Sequence, residues 1–144
     1  MKLSTKCRYG LRALVDLAVY SESGHVALHE IAARQDISLK YLEQDFSVLR
    51  RAGIIRSVKG AQGGYMLTKA PSEILLSEIV SVLEGDLLLI ETDEQDPTDI
   101  RSFLARNVWG KLNANVKDVL ESIRLSDLAE EYLELQSGKE MYYI

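Results

Sequence analysis

The chain has 144 residues, of which 47% are hydrophobic and 27% charged, an ordinary globular composition. No apolar run approaches the ~20 residues of a membrane-spanning helix, and the opening MKLSTKCRYG carries no apolar signal segment, so we expect a cytoplasmic protein without a membrane partner. A single cysteine excludes an internal disulfide and an all-cysteine metal cage within one chain.

The net charge of −5 hides a separation of the two signs along the chain. Residues 1–70 hold 11 Lys and Arg against 6 Asp and Glu, whereas residues 71–144 hold 6 against 16. A basic half beside an acidic half indicates that the first half meets a polyanion. The acidic half would repel phosphate and is expected to face protein or solvent.

Two helices are predicted before residue 36. The first covers residues 4–20, where apolar side chains recur at spacings of three and four, and Ser4 or Thr5 is its expected cap. The second is short, lies within LHEIAARQ, and is buried through Ile31 and Ala32.

A third helix is predicted from its N-cap Ser38 to Arg51, with Leu42, Phe46 and Leu49 on its inner face. Only the tight connection QDIS separates it from the second helix, so the pair is a candidate helix-turn-helix. On its outer face, polar side chains are placed to reach base edges in a major groove: Lys40, Tyr41, Glu43, Gln44, Ser47 and Arg51. An ordinary solvated helix face is the alternative.

The stretch SVKGAQGGYML joins two short strands, within IIRSVK and GYMLTK, through a glycine-containing loop of about five residues. A phosphate-binding loop is excluded because these glycines do not follow a strand and open a helix. At a hairpin tip, Gly60, Gly63 and Gly64 allow positive φ and close backbone approach. A hairpin directly after a helix-turn-helix is a wing, and Lys59 is a candidate for entering a minor groove beside it.

The second half is predicted to be helical. LLSEIVSVLEG forms an amphipathic helix that stops at Gly85, and an acidic connection follows. Asp96 as N-cap and Pro97 in the first position open a helix of ~25 residues, which is ~37 Å long. A second copy of the chain is expected to cover its apolar row, which is too long for one small domain: Ile100, Phe103, Leu104, Val108, Leu112, Val116, Val119 and Leu120. Ser126 is the expected cap of a last helix to about Leu135.

Other chemistries find little support in the sequence. No nucleophile with a base and an orienting group is present, so no enzyme is expected, and His25 and His29 lack a third metal ligand. Cys7 lies at a helix N-terminus beside Lys6 and Arg8, which lower a thiol pKa, so a redox-sensing regulator is one alternative, beside an incidental cysteine. A winged-helix protein-interaction module is another, which the charge separation disfavours.

Three segments, STKCRYGLRAL, ISLKYLEQDFSVLRRAGIIRSVKGAQGGYMLTK and the long helix, together resemble the Rrf family of bacterial winged-helix transcription regulators, the IscR, NsrR and CymR group. The resemblance implies a mainly α fold with a small β-hairpin. It places a winged helix-turn-helix domain at residues 1–84, an acidic connection at 85–97, and a dimerisation helix with a C-terminal helix and tail at 98–144.

The family resemblance also implies a homodimer that represses transcription from palindromic operators in double-stranded DNA. In that family, the residues matching Ser38, Lys40, Glu43 and Gln44 lie at the major groove, and the residue matching Lys59 enters the minor groove. The complete set of expected DNA contacts is Lys2, Tyr9, Ser38, Lys40, Tyr41, Glu43, Gln44, Ser47, Arg51, Lys59, Gly60, Gly63, Gly64 and Tyr65.

Iron–sulfur members of the family carry three closely spaced cysteines before the long helix, because thiolates hold such clusters. Here that connection, EGDLLLIETDEQDPTD, contains none, so we expect no cluster and no other cofactor. The chain then resembles the cluster-free CymR type, which controls cysteine and sulfur metabolism with the enzyme O-acetylserine sulfhydrylase as co-repressor. The tail that ends in Tyr143 and Ile144 is the candidate contact with that enzyme, and packing on its own dimer is the alternative.

Overall fold

The computed structural model describes residues 2–87 and 96–142. Three helices open the chain as predicted: α1 (Thr5–Tyr20), α2 (Leu28–Gln35) and α3 (Leu39–Arg51). Ser4 Oγ accepts a hydrogen bond from the Cys7 N–H, and Ser38 Oγ accepts one from the Tyr41 N–H, each at 3.1 Å. The predicted caps of α1 and α3 are therefore confirmed, with Ser4 rather than Thr5 as the first.

The core between these helices is apolar and closed to solvent. Leu14 and Leu17 of α1, Ile31 of α2, and Phe46 and Leu49 of α3 are fully buried. Burial of a side chain of this size contributes about 1.5–3 kcal/mol, so this cluster holds the three helices at their crossing angles. The inner faces predicted for α2 and α3 are confirmed.

The turn between α2 and α3 is tight because Asp36 adopts the left-handed conformation, with φ at 51°. The backbone N–H groups of Asp36 and Ile37 both donate to the Ala32 carbonyl. Ile37 is buried, so the chain leaves α2 and enters α3 at a fixed angle. This is a helix-turn-helix.

A β-hairpin follows α3. It pairs β1 (Ile55–Val58) with β2 (Gly64–Leu67) in antiparallel register, Ile55 opposite Leu67 and Val58 opposite Gly64. We call residues 55–67 the wing. The sequence did not indicate that Val26 also pairs with the wing: its N–H donates to the Tyr65 carbonyl (2.9 Å), and the Tyr65 N–H donates back (2.8 Å). The wing is therefore fixed to the segment before α2.

The helix α4 (Leu76–Leu83) ends beside the start of α1. Gly85, with φ at 87°, follows its end, as predicted. The Glu84 carboxylate accepts from the Ser4 N–H at 3.2 and 3.3 Å and also from the Ser4 hydroxyl. This carboxylate therefore links the end of α4 to the start of α1.

The long helix (residues 100–122) consists of three parts in direct succession: α5 (Ile100–Leu104), a π-helical turn (Ala105–Trp109) and α6 (Gly110–Ser122). The predicted start at Asp96 and Pro97 is wrong. Asp99 is the N-cap and accepts from the Ser102 N–H at 2.8 Å. Asp96 binds the Thr98 N–H and hydroxyl at 2.9 and 2.7 Å, which holds it in a turn outside the helix.

The π turn was also not predicted. The Gly110 N–H donates to the Ala105 carbonyl five residues earlier, so this turn holds one residue more than an α-turn. A Cβ at Gly110 would lie 2.7 Å from that carbonyl oxygen, closer than real Cβ contacts allow. The glycine therefore permits the π turn.

The last helix, α7 (Leu125–Tyr142), is longer than predicted, and Ser126 does not cap it. The Arg124 N–H donates to Asp127 Oδ2 at 2.9 Å, so the side chain in the first turn reaches back to the helix start. Gly138 does not end the helix, which continues to Tyr142; Tyr143 and Ile144 lie outside the described residues.

The first turns of α7 pack on α1, where Leu125 and Ala129 join the same core as the three opening helices. Two backbone bonds fix this position: the Leu76 N–H donates to the Ile123 carbonyl at 2.8 Å, and the Leu125 N–H to the Ile74 carbonyl at 2.9 Å. The fold is mainly helical with one small sheet, as predicted. None of the described helices is long and apolar enough to cross a membrane.

Candidate nucleic-acid interface

The outer face of α3 carries most of the polar side chains predicted to reach base edges. A groove of about 460 Å³ runs along it, which we call the helix groove, and its lining is Lys40, Glu43, Gln44, Ser47, Val48 and Arg51. Lys40, Glu43, Gln44 and Arg51 are exposed, and Ser47 is half-buried. The structure therefore brings five of the six predicted α3 residues into one groove.

A second groove, of about 460 Å³, lies between α3 and the wing. We call it the wing groove. Its wing side includes Lys59, Gly60, Gly63, Gly64 and Tyr65, and its helix side includes Leu39 and Glu43. Glu43 lines both grooves, so the two predicted contact surfaces meet along one edge of the molecule.

The wing tip needs its glycines for two different reasons. Gly60 has φ at 120°, a conformation that L-residues with a side chain rarely adopt. A Cβ at Gly63 would lie 2.2 Å from the Val58 carbonyl oxygen, and one at Gly64 would lie 2.3 Å from the Val26 carbonyl oxygen. Gly63 and Gly64 are therefore required by close approach of the backbone, and not by a positive φ.

Two predicted contact residues also hold the interface together. Tyr65 packs edge-to-face on Phe46, with ring centroids 5.0 Å apart, which joins the wing to α3. Tyr41 does not line the helix groove. Its ring packs on the ring of Tyr9, with ring centroids 5.4 Å apart. Burial raises the pKa of the Tyr41 phenol, with smaller contributions from Asp45 and Tyr9. The phenol therefore stays protonated and is able to donate to a phosphate.

Arg12 joins this tyrosine pair, although the sequence did not single it out. Its guanidinium lies 5.3 Å from the centre of the Tyr9 ring, and its Nη2 donates to the Gln35 carbonyl at the end of α2. The spacing of three residues between Tyr9 and Arg12 on α1 was the available signal. Lys2 is exposed just ahead of α1.

An ion pair between Arg34 and the buried Asp16 sets the end of α2, and it was not predicted from the sequence. Arg34 Nη2 donates to Asp16 Oδ1 at 2.7 Å, Arg34 Nε donates to Asp16 Oδ2 at 3.0 Å, and Gln35 Nε2 donates to the same Oδ2 at 2.9 Å. Asp16 is only 2% exposed. The carboxylate raises the pKa of Arg34, whose guanidinium also lies 3.9 Å from the centre of the Tyr20 ring.

Asp45 is a second buried carboxyl, on the inner side of α3. It is 1% exposed, and its Oδ2 has no hydrogen-bond partner among the described residues. Burial raises its pKa to about 6, and only the charge of Lys6 opposes this shift. Asp45 therefore destabilises the fold when it is ionised.

Cys7 does not have the environment that the sequence predicted. It is 2% exposed, and burial raises the pKa of its thiol, with the charges of Glu84 and Asp45 adding to the increase. The expectation that the helix N-terminus, Lys6 and Arg8 lower this pKa is wrong, because burial beside two acids outweighs them. The structure therefore gives the redox-sensing alternative no support.

In residues 2–87 and 96–142, no group of three His, Cys, Asp or Glu side chains could hold an ion. His25 lies at the wing tip instead, where its Nε2 pairs with the Gln62 carbonyl.

The Rrf2 family, described as iron-dependent transcriptional regulators, matches residues 3–131. The chain is 39% identical over 145 residues to the HTH-type transcriptional regulator CymR of Bacillus subtilis, with 100% of each chain covered. It is 42% identical over 134 residues to the regulator IscR of Cereibacter sphaeroides, covering 89% of this chain and 86% of that one.

Solved structures agree. That of CymR from B. subtilis superposes with a TM-score of 0.80 at 39% identity, covering 91% of this chain and 98% of the other. That of IscR from T. potens gives 0.77 at 40% identity, covering 94% and 91%. The chain belongs to the Rrf2 family of DNA-binding transcriptional regulators, and the predicted membership is confirmed. Its relatives are regulators rather than enzymes.

The family description names iron, but the donors of this chain do not fit an iron–sulfur cluster. The chain has one cysteine, and that thiol is buried with a raised pKa. A cluster requires several thiolates at a site that can take it up.

Proposed function

We propose that this protein is a sequence-specific repressor that binds palindromic operators as a homodimer. The observation that carries the proposal is the meeting of the helix groove and the wing groove at Glu43. A recognition helix in the major groove and a wing in the neighbouring minor groove follow from this arrangement. Arginine and lysine side chains at its edges supply the attraction to phosphate.

Within this proposal the exposed residues divide into readers of bases and contacts to backbone. Glu43 and Gln44 read base edges, because a carboxylate accepts from cytosine and an amide pairs with adenine. Lys59 enters the minor groove. The remaining expected contacts position the protein on phosphates and sugars: Lys2, Tyr9, Ser38, Lys40, Tyr41, Ser47, Arg51, Gly60, Gly63, Gly64 and Tyr65.

The homodimer is proposed from the apolar surface of the long helix. Ile100 is 75% exposed, Phe103 54% and Val119 55%, and Leu104 and Leu112 are also exposed. Exposed apolar side chains in this number on one helix mark an interface between proteins. A second copy covers it and completes the row with Val108, Val116 and Leu120, so that residues 98–144 serve dimerisation and residues 1–84 bind DNA.

A groove of about 330 Å³ between α4 and α6 supports the same assignment. Its lining is largely apolar and includes Val80, Leu87, Val116 and Leu120. It lies beside the long helix, so the partner's apolar side chains would fill it while they cover the exposed row.

Genes of cysteine and sulfur metabolism are the proposed targets. The relative from B. subtilis is described as the global cysteine regulator of that organism, and it matches this chain over its whole length. O-Acetylserine sulfhydrylase remains the proposed partner through the tail, on the family resemblance alone, because Tyr143 and Ile144 lie outside the described residues.

Selection from a random double-stranded DNA library tests this function. A palindromic sequence should be enriched and should bind with a Kd of ~10⁻⁸ M or tighter at moderate salt. Affinity should fall with salt by ~0.9 in log–log slope for each phosphate contacted. Gln44→Ala should lose ~1–3 kcal/mol of discrimination at one base-pair position. Binding to variants of the enriched site at several salt concentrations measures both quantities.

Glu22→Ala is the control, because this exposed polar side chain directly after α1 lines neither groove. It should bind like the wild type. A monomer in sedimentation, or a library without an enriched palindrome, would contradict the proposed function. Full discrimination in Gln44→Ala would contradict the assigned role of α3.

Protein purified without oxygen should be colourless and should contain no stoichiometric iron. The single cysteine is buried and its raised pKa disfavours the thiolate that a metal requires. Metal analysis and the visible absorption spectrum check this, with Cys7→Ser as a control that should give the same result. A visible band with stoichiometric iron that disappears in Cys7→Ser would contradict it.

A further inference from the structure

The first residue of α3 is an exposed leucine. Leu39 is 42% exposed, although a side chain of this type is usually buried. Ser38 caps the helix just before it, so Leu39 stands in the first turn of the proposed recognition helix. The first turn is the part of such a helix that contacts base edges.

The surroundings of Leu39 are those of a binding surface. It lines the wing groove together with Glu43, which is four residues further along the same helix face. Val58 and Lys59 lie on the wing side of that groove. The groove therefore places the exposed apolar side chain of Leu39 beside a carboxylate and a lysine, all open to the same ligand.

The major groove of DNA offers one apolar feature to such a side chain. Among the base-pair edges, only thymine presents a methyl group, at C5, while the other positions present hydrogen-bond donors and acceptors. Resting on the proposed function, we infer that Leu39 is a specificity-determining residue that contacts the 5-methyl group of one thymine in each half-site.

Leu39 and its neighbours Glu43 and Gln44 then have different roles in base recognition. Glu43 and Gln44 select bases by hydrogen bonds, whereas Leu39 adds a preference for thymine by covering its methyl group. Covering one methyl group corresponds to about a fourfold gain in affinity. The gain should disappear when either the methyl group or the leucine side chain is removed.

Deoxyuridine substitution tests this directly, because it removes only the methyl group of thymine. The probe is the duplex enriched from the random library, with each thymine of a half-site replaced in turn. Wild-type protein should lose about fourfold affinity at one position, and Leu39→Ala should bind both duplexes equally. Leu39→Met should retain the discrimination, because it keeps an apolar side chain of similar volume.

The outcomes are distinct. Equal wild-type affinity for every deoxyuridine duplex overturns the inference but leaves the proposed function standing, and this arm needs no variant to fold. Discrimination that survives in Leu39→Ala also overturns it. A library without any enriched sequence overturns the proposed function and this inference together.

Discussion

Replacement of Arg34 by alanine should lower the free energy of unfolding by about 3–5 kcal/mol. The change removes three of the four hydrogen bonds to Asp16 and leaves that carboxylate almost fully buried with Gln35 as its remaining donor. A buried charge without its counter-ion costs far more than the pair contributes. Urea denaturation measures the loss.

Replacement of Asp16 by alanine should lower the free energy of unfolding by less than Arg34→Ala does. Arg34 has a 31% exposed side chain, so in Asp16→Ala its guanidinium can turn towards water. The double variant Asp16→Leu with Arg34→Met should recover most of the stability, because a well-packed apolar pair often replaces a buried ion pair without loss. A larger cost for Asp16→Ala than for Arg34→Ala would contradict this account.

The exposed ion pair between Lys69 and Glu78 provides the control. Its atoms are 3.3 Å apart, but both side chains are 40% exposed. Lys69→Ala should therefore change stability by no more than ~1 kcal/mol. Arg34→Ala should also weaken DNA binding more than Lys69→Ala does. The reason is that Arg34 and Gln35 end α2 immediately before the turn that places α3.

Asp45→Leu should stabilise the protein at pH 7 by about 2–3 kcal/mol. The carboxyl titrates near 3.8 in the unfolded chain and at about 6 in the folded one. Between these values the folded state binds more protons at Asp45, so the contribution of this group to stability is most favourable below pH 4 and declines as the pH rises to about 6. Above that pH the ionised carboxylate remains a constant penalty.

Charged and titratable groups around Asp45 limit the size of this effect. Lys6 of α1 favours the ionised form, while Glu84 beside α4 and the Cys7 thiol share the same buried region. Leucine also has to fit beside Leu83, which lies close to Gly10. Asp45→Asn is therefore a second variant, which removes the charge without adding volume.

Thermal unfolding from pH 4 to pH 7 measures the effect. Both variants should show a flatter stability profile than the wild type over this range. Asp118→Asn on the exposed surface of α6 is the control and should keep the wild-type profile. A wild-type profile in Asp45→Asn would show that another group is responsible for the pH dependence.

The sequence predicted the helix-turn-helix and hairpin well because their signals are local. Ser4 and Ser38 cap their helices, and apolar spacing marks the inner faces of α2 and α3. The predicted start of the long helix was wrong, because Asp96 and Asp99 are both residues that commonly cap a helix. Only the contacts of Asp96 with Thr98 decide between them. The end of α7 was predicted too early, and Gly138, a common helix stop, lies within the helix instead of ending it.

The candidate interface was predicted where polar residues follow helical spacing, as on α3. Leu39 was missed because an apolar residue at a helix start is normally assigned to the core. Asp16 was missed because burial depends on the approach of α2, which brings Arg34 to it. The pKa of Cys7 was mispredicted because Glu84 and Asp45 are distant in sequence.

The π turn between Ala105 and Trp109 changes the direction in which the side chains beyond it point. Each residue of an α-helix advances the face by about 100°, so a spacing-of-four row drifts by about 200° between Ile100 and Leu120. The extra residue of the π turn cancels about half of that drift. In this helix a one-residue insertion or deletion acts as a rotation of everything beyond it. Because α6 packs on α4 and the first turns of α7 pack on α1, such a length change would turn α5 relative to the rest of the chain.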